Sequence, residues 1–518
     1  MKIRKPFLLL INSRKTECGA NGSSLCLAVR AAPFTLAPAL ALLSACAVGP
    51  NYERPKVNAP PAFRGAEGAA QQASFADLPW WEVFKDDTLK ALIKTALANN
   101  YDLGIAATRV EQAREVAAQA RSQYFPSIDY AGVVTYGQNQ YQYLQGSASG
   151  SSTGAKGLLV AVASASWEAD IWGRIRRLNE GAKAQYLGTE EARRGVMLSV
   201  VSDVSNAYFS LLGLRRQLEI ALQTVDSFDQ TRVLFTQRLE GGVSSQLPVS
   251  RATAIQASAA AQAVELQRQI ALTENQLSVL LGQNPAEFET QAKLLEETVP
   301  PDVPAGLPSA LLERRPDVLQ AEQNIRYANA QVGVATAEYF PKIGLTTFFG
   351  KLSSPLEDLS LGKTNAWAAG MNFAGPIFQG GRLKANKREA VAAWEQSKLQ
   401  YQQTALSAFQ DVSNALISRD KYDAVRAEQV KAVDSYDEAF RLANMRYDQG
   451  FSSYYEVLEA QQQLYPAQQA LAQTELNRRL VIIQLYKALG GGWNLTDAQF
   501  TAAGVPSTAQ TKGTSATP

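Results

Sequence analysis

Residues 128–136 (IDYAGVVTY) and residues 366–373 (AWAAGMNF) are the two stretches that decide the fold class of this 518-residue chain. In each stretch, large apolar side chains alternate with small or polar ones. Because successive side chains of a strand point to opposite faces, this pattern predicts strands with one lipid-facing and one polar face. Tilted strands of about ten residues are long enough to cross a bilayer.

Two further segments are predicted to be strands. Residues 343–349 follow the alternation loosely, whereas in residues 158–171 the apolar positions change from one face to the other. Four strands leave two unpaired edges, which the interior of a bilayer does not tolerate. Since a barrel of about eight strands is the small end of what closes, the chain is expected to share a barrel with one or two copies of itself.

The chain is internally duplicated. The tripeptide YFP at residues 124–126 recurs at 339–341, and DVSNA at residues 203–207 recurs at 411–415. A third set of matches keeps the same order and nearly the same spacing, which indicates a duplication across most of the chain. These matches pair Arg238, Gly242, Ser244, Ser245 and Val249 with Arg446, Gly450, Ser452, Ser453 and Val457.

Each repeat contains one very long stretch of good helix formers without proline, at residues 174–240 and 382–448. A helix of that length would extend about 100 Å. Each stretch ends at a glycine-containing turn, after which a second helix is expected to return. Shorter helices are predicted at residues 88–123 and 309–338. The helices alone would also fit a soluble coiled-coil protein. The predicted strands distinguish that interpretation from a membrane protein.

The composition disfavours an enzyme. The chain has no histidine, the commonest general base and metal ligand, and its three cysteines are Cys18, Cys26 and Cys46. No cofactor, metal site or catalytic residue is predicted. A formal net charge of +2 also argues against a nucleic-acid partner, because such proteins usually have a strongly basic face.

The first 45 residues are typical of an export signal. Basic residues are followed by AAPFTLAPALALLSA at residues 31–45, which is uncharged and ends in small residues. The tetrapeptide LSAC at residues 43–46 resembles the lipobox of bacterial lipoproteins, in which the cysteine is acylated and becomes the first residue. Cys46 is therefore the predicted lipid attachment site, and Ala47 after it favours sorting to the outer membrane. Acyl chains would anchor the chain without a membrane-spanning helix.

Five motifs together resemble the outer-membrane factors, which are the TolC-like channel components of tripartite efflux pumps, in their NodT-type lipoprotein branch. They are CAVGPNYERP at 46–55, WW at 80–81, DIWGR at 170–174, RRPD at 314–317 and YKALGGGW at 486–493. The resemblance implies an α+β membrane protein that forms a homotrimer. Its twelve-stranded β-barrel, with four strands per chain, would continue into a long periplasmic α-helical barrel of coiled-coil hairpins.

The resemblance also implies a division of the chain. Residues 1–45 are the signal peptide, and 46–87 an N-terminal lipid-anchored extended segment. The first repeat covers 88–283, a linker in an equatorial belt covers 284–308, and the second repeat covers 309–493. Residues 494–518 are predicted to be a flexible tail.

In related channels a tyrosine, a leucine, an aspartate and an arginine narrow the periplasmic tip. Here Tyr447 matches the tyrosine and Glu459 retains the acid, whereas Tyr455 stands at the leucine position and Gln462 at the arginine position. A ring of three Glu459 carboxylates would favour cations over anions. The alternative for Glu459 is an ordinary solvated helix face.

The two hairpin turns match the adaptor-facing tips of the family. The residues concerned are Gly242, Ser244, Ser245, Gly450, Ser452 and Ser453. Simple turn chemistry also explains glycine and serine there, and the two interpretations are compatible. Four aromatic residues of the strands are interpreted as parts of belts at the membrane interfaces. They are Tyr130, Tyr136, Trp167 and Trp367.

The function implied is a passive outer-membrane conduit. It would pass small molecules from an inner-membrane efflux pump and a periplasmic adaptor protein to the exterior. Two alternatives remain open at this point. One is an outer-membrane channel of type I protein secretion, and the other is a lipid-anchored coiled-coil structural protein without a pore.

Overall fold

The computed structural model describes residues 47–66, 77–83, 86–137, 156–290, 292, 294, 306–353 and 365–492. The predicted signal, Cys46 and the C-terminal tail lie outside the described residues. The helices are α1 (Trp80–Val83), α2 (Asp87–Asn99), α3 (Tyr101–Ser122), α4 (Arg174–Glu240), α5 (Gln246–Leu280), α6 (Pro308–Leu311), α7 (Pro316–Ala337), α8 (Arg382–Asp448) and α9 (Tyr454–Ala488). The strands are β1 (Ser127–Gly137), β2 (Lys156–Ala169), β3 (Lys342–Ser353) and β4 (Asn365–Ala374).

The four strands form one antiparallel sheet in the order β1-β2-β3-β4. Tyr130 pairs with Ala163, Ala163 with Phe349, and Phe349 with Trp367. Since paired residues share a face of a sheet, the register collects the large apolar side chains on one side, here called the apolar face. Its members include Ile128, Tyr130, Val134, Trp167, Leu345, Phe349, Trp367, Met371 and Phe373.

The register also shows which face of β2 is apolar, a point that the sequence pattern left ambiguous. Trp167 pairs with Leu345 and so belongs to the apolar face, whereas Val160 and Val162 lie on the opposite face. Tyr130 is 93% exposed and Trp367 74% exposed within a single chain. An apolar face this open needs a non-aqueous neighbour. Three of the four predicted belt residues therefore lie on one face, while the side chain of Tyr136 is outside the described set.

The two long helices begin and end where the sequence predicts. α4 and α8 each contain 67 residues, and α5 and α9 each return over 35 residues. Gly173 (φ 78°) precedes α4, and Gly381 (φ 88°) precedes α8 at the equivalent position of the second repeat. Glycine adopts this left-handed conformation without steric cost, so each sheet-to-helix corner requires it. Asp170 then caps α4, because its carboxylate accepts hydrogen bonds from the backbone N–H groups of Ile175 and Arg176 at 3.0 and 2.9 Å.

The shorter helices differ from their predicted extents. The helix predicted over residues 88–123 is interrupted at Asn100, which has φ −65° and ψ 127°. Its side chain accepts from the N–H of Leu103 (3.1 Å) and donates to the carbonyl of Leu280 (3.0 Å). The helix predicted over residues 309–338 is also divided, into α6 and α7, because the residue before Pro316 is kept out of the helical region.

The main core lies where α2, α4, α8 and α9 meet, far from the hairpin turns. Trp80, Leu89, Tyr208 and Tyr486 are each at most 2% exposed. The hydroxyl of Tyr208 donates to the carboxylate of Asp86, and that of Tyr486 donates to the carbonyl of Leu78 at 3.0 Å. Among the described helices, α4 has one window that is long and apolar enough to cross a membrane, but 61% of it is buried inside the protein.

Candidate functional site

Both hairpin turns are built by the same backbone hydrogen bonds. At the first turn, the N–H of Gly242 donates to the carbonyl of Leu239 and that of Val243 to the carbonyl of Arg238, both at 2.9 Å. At the second turn, Gly450 (φ 77°) and Phe451 donate to the equivalent carbonyls of α8 at 2.9 and 2.8 Å. This is the Schellman arrangement, which needs a left-handed residue at the glycine position. Turn chemistry therefore accounts for Gly242 and Gly450.

Turn chemistry does not account for the serines. Ser245 and Ser453 occupy the N-cap positions of α5 and α9, yet neither side chain makes a capping hydrogen bond. Both are exposed, whereas Ser244 and Ser452 are half-buried. Exposed apolar side chains lie beside them at both turns, at equivalent positions of the two repeats. These are Val243 (79% exposed) and Leu247 (59%) at the first turn, and Phe451 (74%) and Tyr455 (60%) at the second.

The four predicted gate residues lie close to the second turn. Tyr447 is in the last turn of α8, and the other three are on the first turns of α9. Tyr455, Glu459 and Gln462 are spaced by four and then three residues, which places them on one face of the helix. All three are exposed in the single chain. Among the described residues, no basic side chain forms an ion pair with Glu459. The nearby ion pair joins Arg446 to Glu456 at 4.0 Å.

Tyr447 is part of an aromatic cluster that joins the two hairpins, and the sequence pattern did not indicate this cluster. The Arg238 side chain, from α4, donates a hydrogen bond to the Tyr447 hydroxyl and lies 5.1 Å from the centre of its ring. The Tyr447 ring meets the Tyr454 ring edge-on at 4.9 Å. Tyr454 in turn meets the Phe235 ring at 4.6 Å, and its hydroxyl lies 2.5 Å from the hydroxyl of Thr231.

Tyr454 is thus the centre of this inter-hairpin cluster, here defined as Thr231, Phe235, Arg238, Tyr447 and Tyr454. Burial raises the pKa of the Tyr454 hydroxyl, which therefore remains a neutral hydrogen-bonding group. Gln461 adds a second tie, because its buried side-chain amide donates to the hydroxyl of Ser227 on α4. Two members had a signal in the sequence, Arg238 as one position of the repeat and Tyr447 as a predicted gate residue, whereas Thr231, Phe235 and Tyr454 had none.

A groove of 870 Å³ lies between the hairpins next to this cluster. Several of its lining residues are glutamines, among them Gln217, Gln262, Gln462 and Gln469. Pro466 also lines it and lies inside α9. Since proline has no N–H, the carbonyl of Gln462 lacks its helical hydrogen bond, which weakens α9 close to the predicted gate.

The described residues contain no group of three or more carboxylates or thiols that could hold a metal ion. The two hairpin turns present exposed apolar and serine side chains, and the inter-hairpin cluster joins the two hairpins. The Glu459 carboxylate lies on an exposed face of α9.

Comparisons with known proteins agree with this architecture. Residues 92–283 and 307–491 match the family model described as outer membrane efflux protein. The chain is 35% identical over 464 residues to the solvent efflux pump outer membrane protein SrpC of Pseudomonas putida, covering 88% of this chain and 98% of that protein. It is 32% identical over 463 residues to the cation efflux system protein CusC of Escherichia coli, covering 89% and 98%.

Solved structures give the same result. The outer-membrane channel OprN aligns with a TM-score of 0.79 and 28% identity, over 86% of this chain and 100% of that one. The open state of the Neisseria gonorrhoeae MtrE outer membrane channel aligns with a TM-score of 0.77 and 30% identity, over 86% and 99%. From the match to most of its length, this chain belongs to the outer membrane efflux protein family.

Proposed function

We propose that this chain is the outer-membrane channel subunit of a tripartite efflux pump. It acts as a passive conduit, not an enzyme, and expels small molecules that an inner-membrane pump and a periplasmic adaptor deliver to it. The observation that carries the proposal is the continuity of an apolar-faced sheet with two long helical hairpins through the glycine corners at 173 and 381. A wall for the membrane and a long tunnel are thereby parts of one chain.

The open edges of the sheet support a homotrimer. β1 and β4 each pair with one neighbour only among the described strands, and an unpaired edge in a bilayer is costly. Three copies would close a barrel of twelve strands, which is within the range of membrane barrels. α4 and α8, each about 100 Å long, are suited to a periplasmic extension.

The tips are proposed to contact the adaptor, and the exposed face of α9 to form the gate. Adaptor contact would use Ser245 and Ser453 together with their exposed apolar neighbours. In a trimer, Tyr455, Glu459 and Gln462 from each subunit would surround one opening, and three Glu459 carboxylates would favour cations. Without an arginine at position 462, the inter-hairpin cluster around Tyr454 is the main tie that would hold the tip closed.

Outer-membrane attachment is proposed to involve both the barrel and acylation of Cys46. Ala47, the next residue, lies where the sheet meets the helices, because the N–H of Val48 donates to the carbonyl of Trp172 at 3.1 Å. Exposed apolar side chains also lie at the junction between the sheet and the helices, such as Phe125 (65% exposed) and Phe378 (88% exposed).

Two measurements test this function. Purified protein should form discrete conducting channels in planar bilayers, and a deletion strain should become more susceptible to solvents, dyes or metal cations and recover with the intact gene. Absence of conductance from a folded trimer would favour the structural protein without a pore. Unchanged susceptibility together with loss of a secreted polypeptide would favour protein secretion.

A further inference from the structure

The start of the described chain, here called the N-terminal strap (residues 47–54), is bound along α7. Its residue numbers rise while those of its partners on α7 fall, so the two run antiparallel. A Cβ placed on Gly49 would lie 2.6 Å from the Cα of Gly333. The side chain of Asn329 donates to the carbonyl of Pro50 at 3.1 Å.

The end of the strap that is farther from the sheet is bound by a hydrogen bond and an ion pair to Glu322. The Tyr52 hydroxyl donates to a carboxylate oxygen of Glu322 at 3.1 Å, and the Arg54 guanidinium pairs with the same carboxylate at 3.0 Å. Arg326 lies over the Tyr52 ring at 4.7 Å and also pairs with Glu322 at 2.8 Å. The strap is therefore seated over its whole length rather than at one point.

The upper end of the strap lies at the corner between sheet and helices. Trp172 follows the end of β2 and precedes α4, and its ring stacks on Phe340 at 4.6 Å. A Cβ placed on Gly173 would lie 2.7 Å from the Cα of Ala47. Position 173 therefore needs glycine both for its backbone conformation and for the close approach of Ala47.

One buried side chain fastens this end. Arg177 of α4 is 4% exposed. Its guanidinium donates to the carbonyls of Val48 and Gly49, each at 3.3 Å, and to the side-chain oxygen of Asn51 at 2.9 Å. Its remaining nitrogen donates to Glu180 at 2.8 Å.

The energetics link the burial of Arg177 to the position of the strap. A buried guanidinium is costly unless its donors are satisfied, and three of its four acceptors belong to the strap. The planar fork also fixes the direction of its acceptors, which a lysine at this position would not do. Release of the strap would leave a charged group that only Glu180 partners.

We propose that Arg177 is a positioning residue for the lipid anchor. It holds Ala47 at the corner, so that acyl chains on the preceding residue enter the bilayer beside the base of the sheet, since consecutive Cα atoms are only about 3.8 Å apart. The inference rests on the proposed acylation of Cys46. The barrel and the acyl chains would then be held at one fixed relative height.

The test compares Arg177→Met with Arg216→Met in the full-length lipidated trimer. Arg216 is a matched control, because it lies on the same helix and pairs with a glutamate three residues on at 2.7 Å, away from the strap. Cleavage after Arg54 by endoproteinase Arg-C reports release of the strap, because Arg54 is paired with Glu322 while the strap is bound. We expect it to be at least about tenfold faster in Arg177→Met and unchanged in Arg216→Met.

A second readout reports the anchor itself. A photoreactive fatty acid incorporated at Cys46 should crosslink to peptides at the base of the sheet, near residues 171–172 and 340–343. These crosslinks should fall several-fold in Arg177→Met while the amount of attached acyl chain stays the same. A residue that only stabilised α4 would not change where the acyl chain crosslinks.

Asn51→Ala tests the same contact if Arg177→Met fails to fold. It removes one hydrogen-bond acceptor from the strap and leaves the buried arginine in place. It should raise cleavage less than Arg177→Met, and the double variant should match Arg177→Met alone. Equal cleavage and crosslinking in all variants would overturn the positioning role while leaving acylation intact. Absence of acyl label on the unmodified protein would overturn both the positioning role and the proposed anchorage, but not the channel.

Discussion

Replacing Tyr454 by alanine should loosen the connection between the two helical hairpins at the tip. The substitution removes two edge-on ring contacts, with Phe235 at 4.6 Å and Tyr447 at 4.9 Å. Each such contact contributes about 0.5–1.5 kcal/mol. It also removes the hydroxyl contact with Thr231, which adds about 0.5–1.5 kcal/mol.

Together these losses amount to about 1.5–4.5 kcal/mol per subunit. The equilibrium between joined and separated hairpins should shift by about tenfold to a thousandfold in each subunit. If the joined state is the closed one, the open probability of single channels in planar bilayers should rise clearly. Tyr454→Phe keeps both rings and loses only the hydroxyl, so its effect should be much smaller.

Tyr436→Ala serves as the control, since Tyr436 is a half-buried tyrosine of α8 without a ring contact or hydrogen bond to the described residues. It should behave as the unmodified channel does. Equal open probabilities for Tyr454→Ala and Tyr436→Ala, in trimers of normal stability, would refute the assignment of the cluster as the tie that closes the tip.

Three further outcomes are expected. Glu459→Ala should reduce cation over anion selectivity in bilayer recordings, and an unchanged reversal potential would remove Glu459 from the gate. Pro466→Ala should raise the thermal midpoint, because a helix-interior proline costs about 3 kcal/mol relative to alanine; a lower midpoint would mean that the ring is needed for packing. Burial and the nearby Glu322 raise the pKa of Tyr52 from 10.0 to about 12. Strap stabilisation by this hydroxyl should therefore be complete below pH 10 and be lost as the pH rises towards 12. Because other tyrosines also titrate late, the test is a difference: phenolate absorbance gained as the pH rises towards 12 should be lower in Tyr52→Phe than in the unmodified protein by the amount of one tyrosine.

The sequence predicted the long helices well because their limits are set locally. Glycines that need a left-handed backbone precede and follow them, and the intervening residues are good helix formers. The break at Asn100 was missed although asparagine is a preferred N-cap residue, because helix-forming residues continue on both sides of it. Its side chain is held by Leu280, a residue remote in the chain.

The candidate site was predicted in part. The glycine turns and the exposed positions of α9 follow from repeat and helical spacing, and the structure brings Tyr455, Glu459 and Gln462 to one face of α9. Tyr454 and Phe235 were not indicated, because a single aromatic residue in a helix looks the same whether it faces solvent, the core or another hairpin. Their role depends on contacts between residues more than 200 positions apart.

By itself, the sequence determined the number of strands, the length of the hairpins, the duplication and the lipobox-like motif, since periodicity, glycine placement and composition act over short distances. The tertiary structure alone decided which face of β2 is apolar, which side chains tie the hairpins together and where the N-terminal strap lies. The physical reason is that register, ring packing and the burial of Arg177 depend on partners that only the folded chain brings within contact distance.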